Sequence, residues 1–83
     1  MCMNRYEPRR IFIMPDGQRI YLISWDDERV RYCNAYKPWS EVAKSEKDIS
    51  RNAMIRTDEF ERKYFSIGII KLYLDNFTNY TGE

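Results

Sequence analysis

The sequence predicts an α+β fold. A three-stranded antiparallel β-meander over residues 9–37 packs against a long C-terminal helix near 58–77, with a short helix near 38–45 between them. Three observations carry this reading: a hairpin signal at Asp16-Gly17, a third β-rich run after Asp26-Asp27-Glu28, and a helix-like apolar period from Phe60 to Phe77.

The hairpin is the organising stretch. Arg10-Ile-Phe-Ile-Met and Arg19-Ile-Tyr-Leu-Ile-Ser-Trp25 are rich in β-branched and aromatic residues and flank Pro15-Asp16-Gly17-Gln18. Asp-Gly as a two-residue loop sets Ile13 opposite Ile20, Phe12 opposite Tyr21 and Ile11 opposite Leu22. Side chains alternate along a strand, so this register sorts them by face. Continued through Arg29–Lys37 with Trp25 opposite Val30, it gives an aliphatic face of Ile11, Ile13, Ile20, Leu22, Cys33 and Ala35. The opposite face collects Phe12, Tyr21, Ile23, Trp25, Val30 and Tyr32.

Pro38-Trp39-Ser40-Glu41 reads as a helix start, because proline is tolerated in the first turn. The polar stretch 44–57 leaves open a short helix followed by a loop or one longer helix. From Asp58 a capping-box-like Asp58/Glu61 pair precedes Phe60, Tyr64, Ile67, Ile70, Leu74 and Phe77, spaced as one helix face. Phe65, Ile69 and Leu72 form a second apolar strip. A strand at Ile67–Leu74 is the rival reading, opposed by the Ile69-Ile70 doublet that breaks alternation. A helix apolar on two sides is buried on both, so either residues 38–56 cover it or a homodimer forms.

Eighty-three residues fit one domain, 1–83. Fourteen basic against 13 acidic residues, a formal net charge of +1, argue against wholesale electrostatic capture of duplex DNA. The chain has no histidine and only two cysteines, Cys2 and Cys33, which falls short of a zinc set; no metal and no cofactor are expected. Its three glycines lack phosphate-loop spacing, and Cys33 has no partner base, so no catalytic residues are assigned and no enzyme is expected. Asp26-Asp27-Glu28 lacks the spacing of a calcium loop and reads as a solvated turn. No apolar run reaches the ~20 residues that span a bilayer, and the N-terminus lacks a signal-peptide pattern; a cytoplasmic protein with reduced thiols is expected.

Binding remains. Seven tyrosines, four phenylalanines and two tryptophans make the aromatic face either a second core layer covered by residues 38–56 or the expected partner-binding surface, with Phe12, Tyr21, Ile23, Trp25 and Tyr32 as anchors and Arg19 and Arg31 as rim charges. The expected function is a non-enzymatic protein-binding module, an inhibitor or adaptor that occupies a partner's functional surface. In general character (short, rich in Tyr and Arg, without a catalytic set) the chain is similar to small phage-encoded inhibitors of bacterial host or defence proteins. The alternative is a single-stranded RNA or DNA binder, stacking bases on the rings and holding phosphates with Arg10, Arg19, Arg29 and Arg31.

Overall fold

The computed structural model describes residues 8–42 and 50–81. Eight strands dominate it: β1 (Arg10–Ile13), β2 (Arg19–Trp25), β3 (Arg29–Ala35), β4 (Arg51–Met54), β5 (Arg56–Thr57), β6 (Lys63–Ile67), β7 (Ile70–Tyr73) and β8 (Thr78–Asn79). Among the described residues one short helix, α1 (Trp39–Val42), follows β3, and a 3-10 turn spans Leu74–Asn76. A five-stranded sheet runs β4-β3-β2-β1-β8 and a three-stranded sheet runs β5-β6-β7, with antiparallel pairing throughout. The expected α+β class is therefore corrected to a mostly β fold. The long helix at 58–77 does not form. Of the short helix at 38–45, residues 39–42 are helical and 43–45 lie outside the described residues, as does Cys2.

The Ile69-Ile70 doublet that opposes the rival strand reading has a local explanation. Ile69 interrupts alternation because it sits in a turn rather than in a strand. Ile67 pairs with Ile70, leaving Gly68-Ile69 as a two-residue loop. Gly68 has φ +63° and Ile69 does not share the positive φ, the pattern of a type II′ hairpin turn with glycine first. On either side alternation is intact: Phe65 and Leu72 point inward and are buried, while Ser66 and Lys71 point outward. Tyr, Phe and Ile crowd this segment, as they do in strands.

Asp58 ends its strand differently from the expected helix cap. Its carboxylate accepts the N–H groups of Phe60 (2.8 Å) and Arg62 (2.9 Å) and the Tyr73 hydroxyl (3.0 Å), closing a β5–β6 loop rather than opening a helix. Glu61 takes the left-handed position in that loop at φ +63°. The backbone N–H of Arg62, then the Tyr73 hydroxyl and the Phe60 N–H, hold Asp58 below the ordinary carboxylate value of 3.8. A carboxylate whose folded value is depressed stabilises the fold fully above its unfolded value and stops doing so as pH falls through the folded one. The melting temperature of the natural chain should thus exceed that of Asp58→Asn near neutrality, with the gap closing as pH falls below the ordinary carboxylate value of 3.8. Thermal unfolding at stepped pH checks this, and a gap independent of pH would remove the carboxylate from the account.

The β1–β2 hairpin shows a one-residue change of register. Ile11 pairs with Tyr21 and Phe12 with Ile20, where the two-residue loop set Ile11 opposite Leu22. Pro15 is the cause. A two-residue Asp16-Gly17 loop makes residues 15 and 18 its closing pair and requires an N–H at 15, which proline lacks. The chain instead closes on Met14, whose N–H donates to Gln18 O (2.8 Å), while Gly17 N–H donates to Met14 O (2.9 Å). Pro15 then occupies the second position of the turn, where its fixed φ suits, and Gly17 takes the left-handed position at φ +95°.

Between β2 and β3, Trp25 pairs with Val30 as expected, but Leu22 pairs with Tyr32, so Ile23 is the extra residue of a bulge. The two shifts re-sort the faces. Ile20, Leu22, Val30 and Tyr32, edged by Phe12 and Trp25, meet Phe65, Leu72 and Phe77 in the core between the sheets. Tyr21, Ile23 and Cys33 turn to the other side and pack under Trp39 and Val42 of α1, with Ile11, Ala35 and Tyr80 beside them. Both faces of the large sheet are covered. The chain passes from one sheet to the other through Ile55 alone, whose N–H donates to Glu28 O (2.8 Å).

Candidate functional site

The seven residues expected to bind a partner are divided four ways. Phe12 and Tyr32 join the inter-sheet core, their rings packed in tilted pairs against Phe77 (5.5 Å) and Phe65 (5.2 Å) respectively. Tyr21 and Ile23 lie in the second core, where the Tyr21 ring meets Trp39 (5.1 Å) and its hydroxyl donates to Lys37 O (2.9 Å). Arg19 sits at the far end of β2, donating from Nη1 to Tyr36 O (2.8 Å). Trp25 and Arg31 are brought together at the other end of the sheet.

That end carries a concentrated patch. Trp25, the last residue of β2, is half-buried, with the guanidinium of Arg10 at 5.1 Å from its ring and that of Arg9 at 5.8 Å. Arg9 N–H donates to Leu22 O (2.8 Å) and Arg9 O accepts from Tyr80 N–H (3.0 Å), so the Arg9 backbone is fixed beside β2. Trp25 also lines an open polar cavity of about 330 Å³ with Ser24, Asp26, Arg29, Val30, Arg31 and Asn52. Arg31 Nη2 donates to Ser50 Oγ (3.0 Å).

The acidic turn is turned inward on the backbone. Asp26 Oδ1 accepts from Glu28 N–H (2.7 Å) and Arg29 N–H (2.8 Å), and these bonds hold its carboxyl below the ordinary range. Asp26 therefore fixes the backbone from which Arg29 projects. Among the described residues no three His, Cys, Asp or Glu side chains converge as a metal set.

Of the four arginines expected to contact phosphates, Arg10, Arg29 and Arg31 reach this patch and Arg19 does not. Arg9, Ser24 and Asn52 went unnoticed in the sequence. The Arg9-Arg10 doublet ahead of the first β-rich run is the signal that was there for Arg9. Asn52 had none, because Arg51-Asn-Ala-Met is too short and polar to announce a strand.

A second concavity of about 190 Å³ opens between β7 and the β1–β2 hairpin, lined by Phe12, Met14, Ile70, Leu72 and Phe77 among others. Beside it Ile69 is fully exposed and Ile70 nearly half-exposed. No helix among the described residues is long and apolar enough to cross a membrane. Comparisons with protein-family models, curated proteins and solved structures return no match for this chain.

Proposed function

We propose that this chain is a non-enzymatic protein-binding module, an inhibitor or adaptor of the cytoplasm, that docks through the Trp25–arginine patch onto an acidic surface of its partner. The observation that carries the reading is the half-buried Trp25 ring with Arg9 and Arg10 over it, at a sheet end where Arg29 and Arg31 project from the neighbouring strand on the other face. Tryptophan and arginine are the residues that most often dominate interface energies. Arginine forks match carboxylates in two-pronged pairs. Four arginines gather at this end of the sheet beside the Asp26-Asp27-Glu28 turn although the whole chain is nearly neutral, which suits a partner recognised by the placement of its charges rather than by net charge.

The test is capture from the native host with the natural chain and with Arg10→Glu and Arg29→Glu, followed by mass spectrometry. Both side chains are outside the buried core, so the variants should keep the natural melting temperature. Loss of one captured protein by roughly tenfold or more is expected for each reversal. A partner retained equally by both variants would move the interface elsewhere.

The same ring and cations favour one second reading, a single-stranded nucleic acid with a base against Trp25 and phosphates on the arginines. Titration of a labelled oligonucleotide against salt separates the two. Four phosphate contacts would give a slope of log K on log salt of about −2.8. Absence of binding at low salt removes this reading and leaves the protein partner.

A further inference from the structure

The strand β7 ends the three-stranded sheet. It pairs with β6 on one side. In a two-residue hairpin the closing residues exchange both hydrogen bonds, so Ile70 and Leu72 direct their backbone groups to β6. The N–H and C=O of Lys71 and Tyr73 therefore point away from the sheet. Among the described residues no loop or turn hydrogen bond uses the Lys71 N–H and C=O or the Tyr73 N–H, while the Tyr73 C=O opens the 3-10 turn at Leu74–Asn76 and keeps its second lone pair for an outside donor.

We propose that this edge pairs antiparallel with the same edge of a second copy of the chain, making one six-stranded sheet across a two-fold axis. The inference is independent of the Trp25 patch, which is built on the fold's other sheet. Three registers bring outward-pointing residues face to face, and they are not equivalent. Lys71 opposite Lys71 sets like charges against each other. Tyr73 opposite Tyr73 joins the strands by a single bonded pair. Lys71 opposite Tyr73 of the second copy uses both outward residues of each strand, gives four main-chain hydrogen bonds (two from Tyr73 N–H to Lys71 O and two from Lys71 N–H to the second lone pair of Tyr73 O), and places Leu72 on the axis.

Side-chain chemistry favours that third register. Lys71 and Tyr73 share the outer face, where cations already lie over rings: Lys71 Nζ is 5.0 Å from the Tyr64 ring and the Arg62 guanidinium is 4.4 Å from the Tyr73 ring. A lysine set beside a tyrosine across the axis repeats that pairing. On the inner face, Ile70 and Leu72 of each copy extend over the apolar concavity formed with Phe12, Met14 and Phe77. Pairing would also shelter the exposed Ile69-Ile70 tip. An unpaired edge of this kind is otherwise a template for uncontrolled association, and a closed two-fold pair removes it. Four residues a side bury less than a standard interface, so the association is weak and concentration-dependent.

Sedimentation velocity from the low micromolar to the millimolar range tests the proposal. The expected result is a rise from one to two chain masses with no larger species. Lys71→Pro deletes an outward N–H without touching the β6 ladder. It should weaken the dimer by roughly tenfold or more, since two of four main-chain bonds go, while leaving the low-concentration melting temperature in place. Should that variant fold poorly, the register is read instead by disulfide formation between Lys71→Cys and Tyr73→Cys proteins, both on a Cys2→Ser background. Bonded pairs stand ~5.5 Å apart at Cα, within disulfide reach. The mixture should cross-link faster than either variant alone. A chain that stays monomeric at millimolar concentration overturns the proposal, as does a dimer insensitive to Lys71→Pro that gives no mixed disulfide. A monomer whose Lys71→Pro variant loses a foreign partner assigns the edge to that partner's strand instead.

Discussion

Phe65→Ala is expected to lower the unfolding free energy by about 3–5 kcal/mol, the range for emptying a large aromatic site in a packed core. Phe65 is fully buried in β6 and touches Tyr32 (5.2 Å between ring centroids) from the large sheet and Phe77 (6.0 Å) from the segment leading to β8. It is the side chain through which the small sheet holds the large one. A domain of this length has on the order of 4–12 kcal/mol of stability in all, so the variant should be marginal at room temperature. Urea unfolding measures it. A loss below ~1 kcal/mol would mean that the two sheets do not share this core.

The second large effect is at Tyr21, and it separates a core layer from a binding surface. Tyr21→Ala should cost about 3–5 kcal/mol, because the ring is fully buried between Trp39 and Tyr80. Tyr21→Phe keeps the ring and deletes only the hydroxyl bond to Lys37 O (2.9 Å). Lys37 is exposed and water can replace that donor, so the expected cost is about 1 kcal/mol or less. Had the aromatic side chains formed one exposed face, alanine at 21 would weaken partner binding and leave the melting temperature alone. Comparing the melting temperatures of the two variants with the natural chain shows which role the ring has.

The binding surface read from the sequence rested on a face assignment, and a one-residue register change moves every side chain of a strand to the opposite face. Pro15 announces that change: a residue without an N–H cannot close a two-residue loop. The Asp16-Gly17 signal masked it. The bulge at Ile23 had no comparable signal, since nothing in Leu22-Ile-Ser-Trp25 separates a regular strand from a bulged one. Trp25 and Arg31 survive as neighbours because they lie beyond the bulge, where Trp25 still pairs with Val30. Arg19, the first residue of β2, lies at the opposite end of the strand from Trp25 in either register.

By itself the sequence determined which stretches are extended at Arg10–Ile13, Arg19–Trp25 and Arg29–Ala35, and where the chain reverses between them. Those are local matters, settled by β-branched and aromatic residues and by Pro, Asp and Gly at turns. Tertiary structure decided the rest. The segment from Asp58 to Phe77 satisfies a helical period and a strand alternation broken once, and neither pattern is decisive alone. A short hairpin is marginal in water, so strand wins only because Phe65, Leu72 and Phe77 find Ile20, Leu22, Val30 and Tyr32 waiting on another sheet. The polar strand β4 likewise exists because β3 offers it an edge. Burial against a partner element is a property of the assembled chain, and no window of residues contains it.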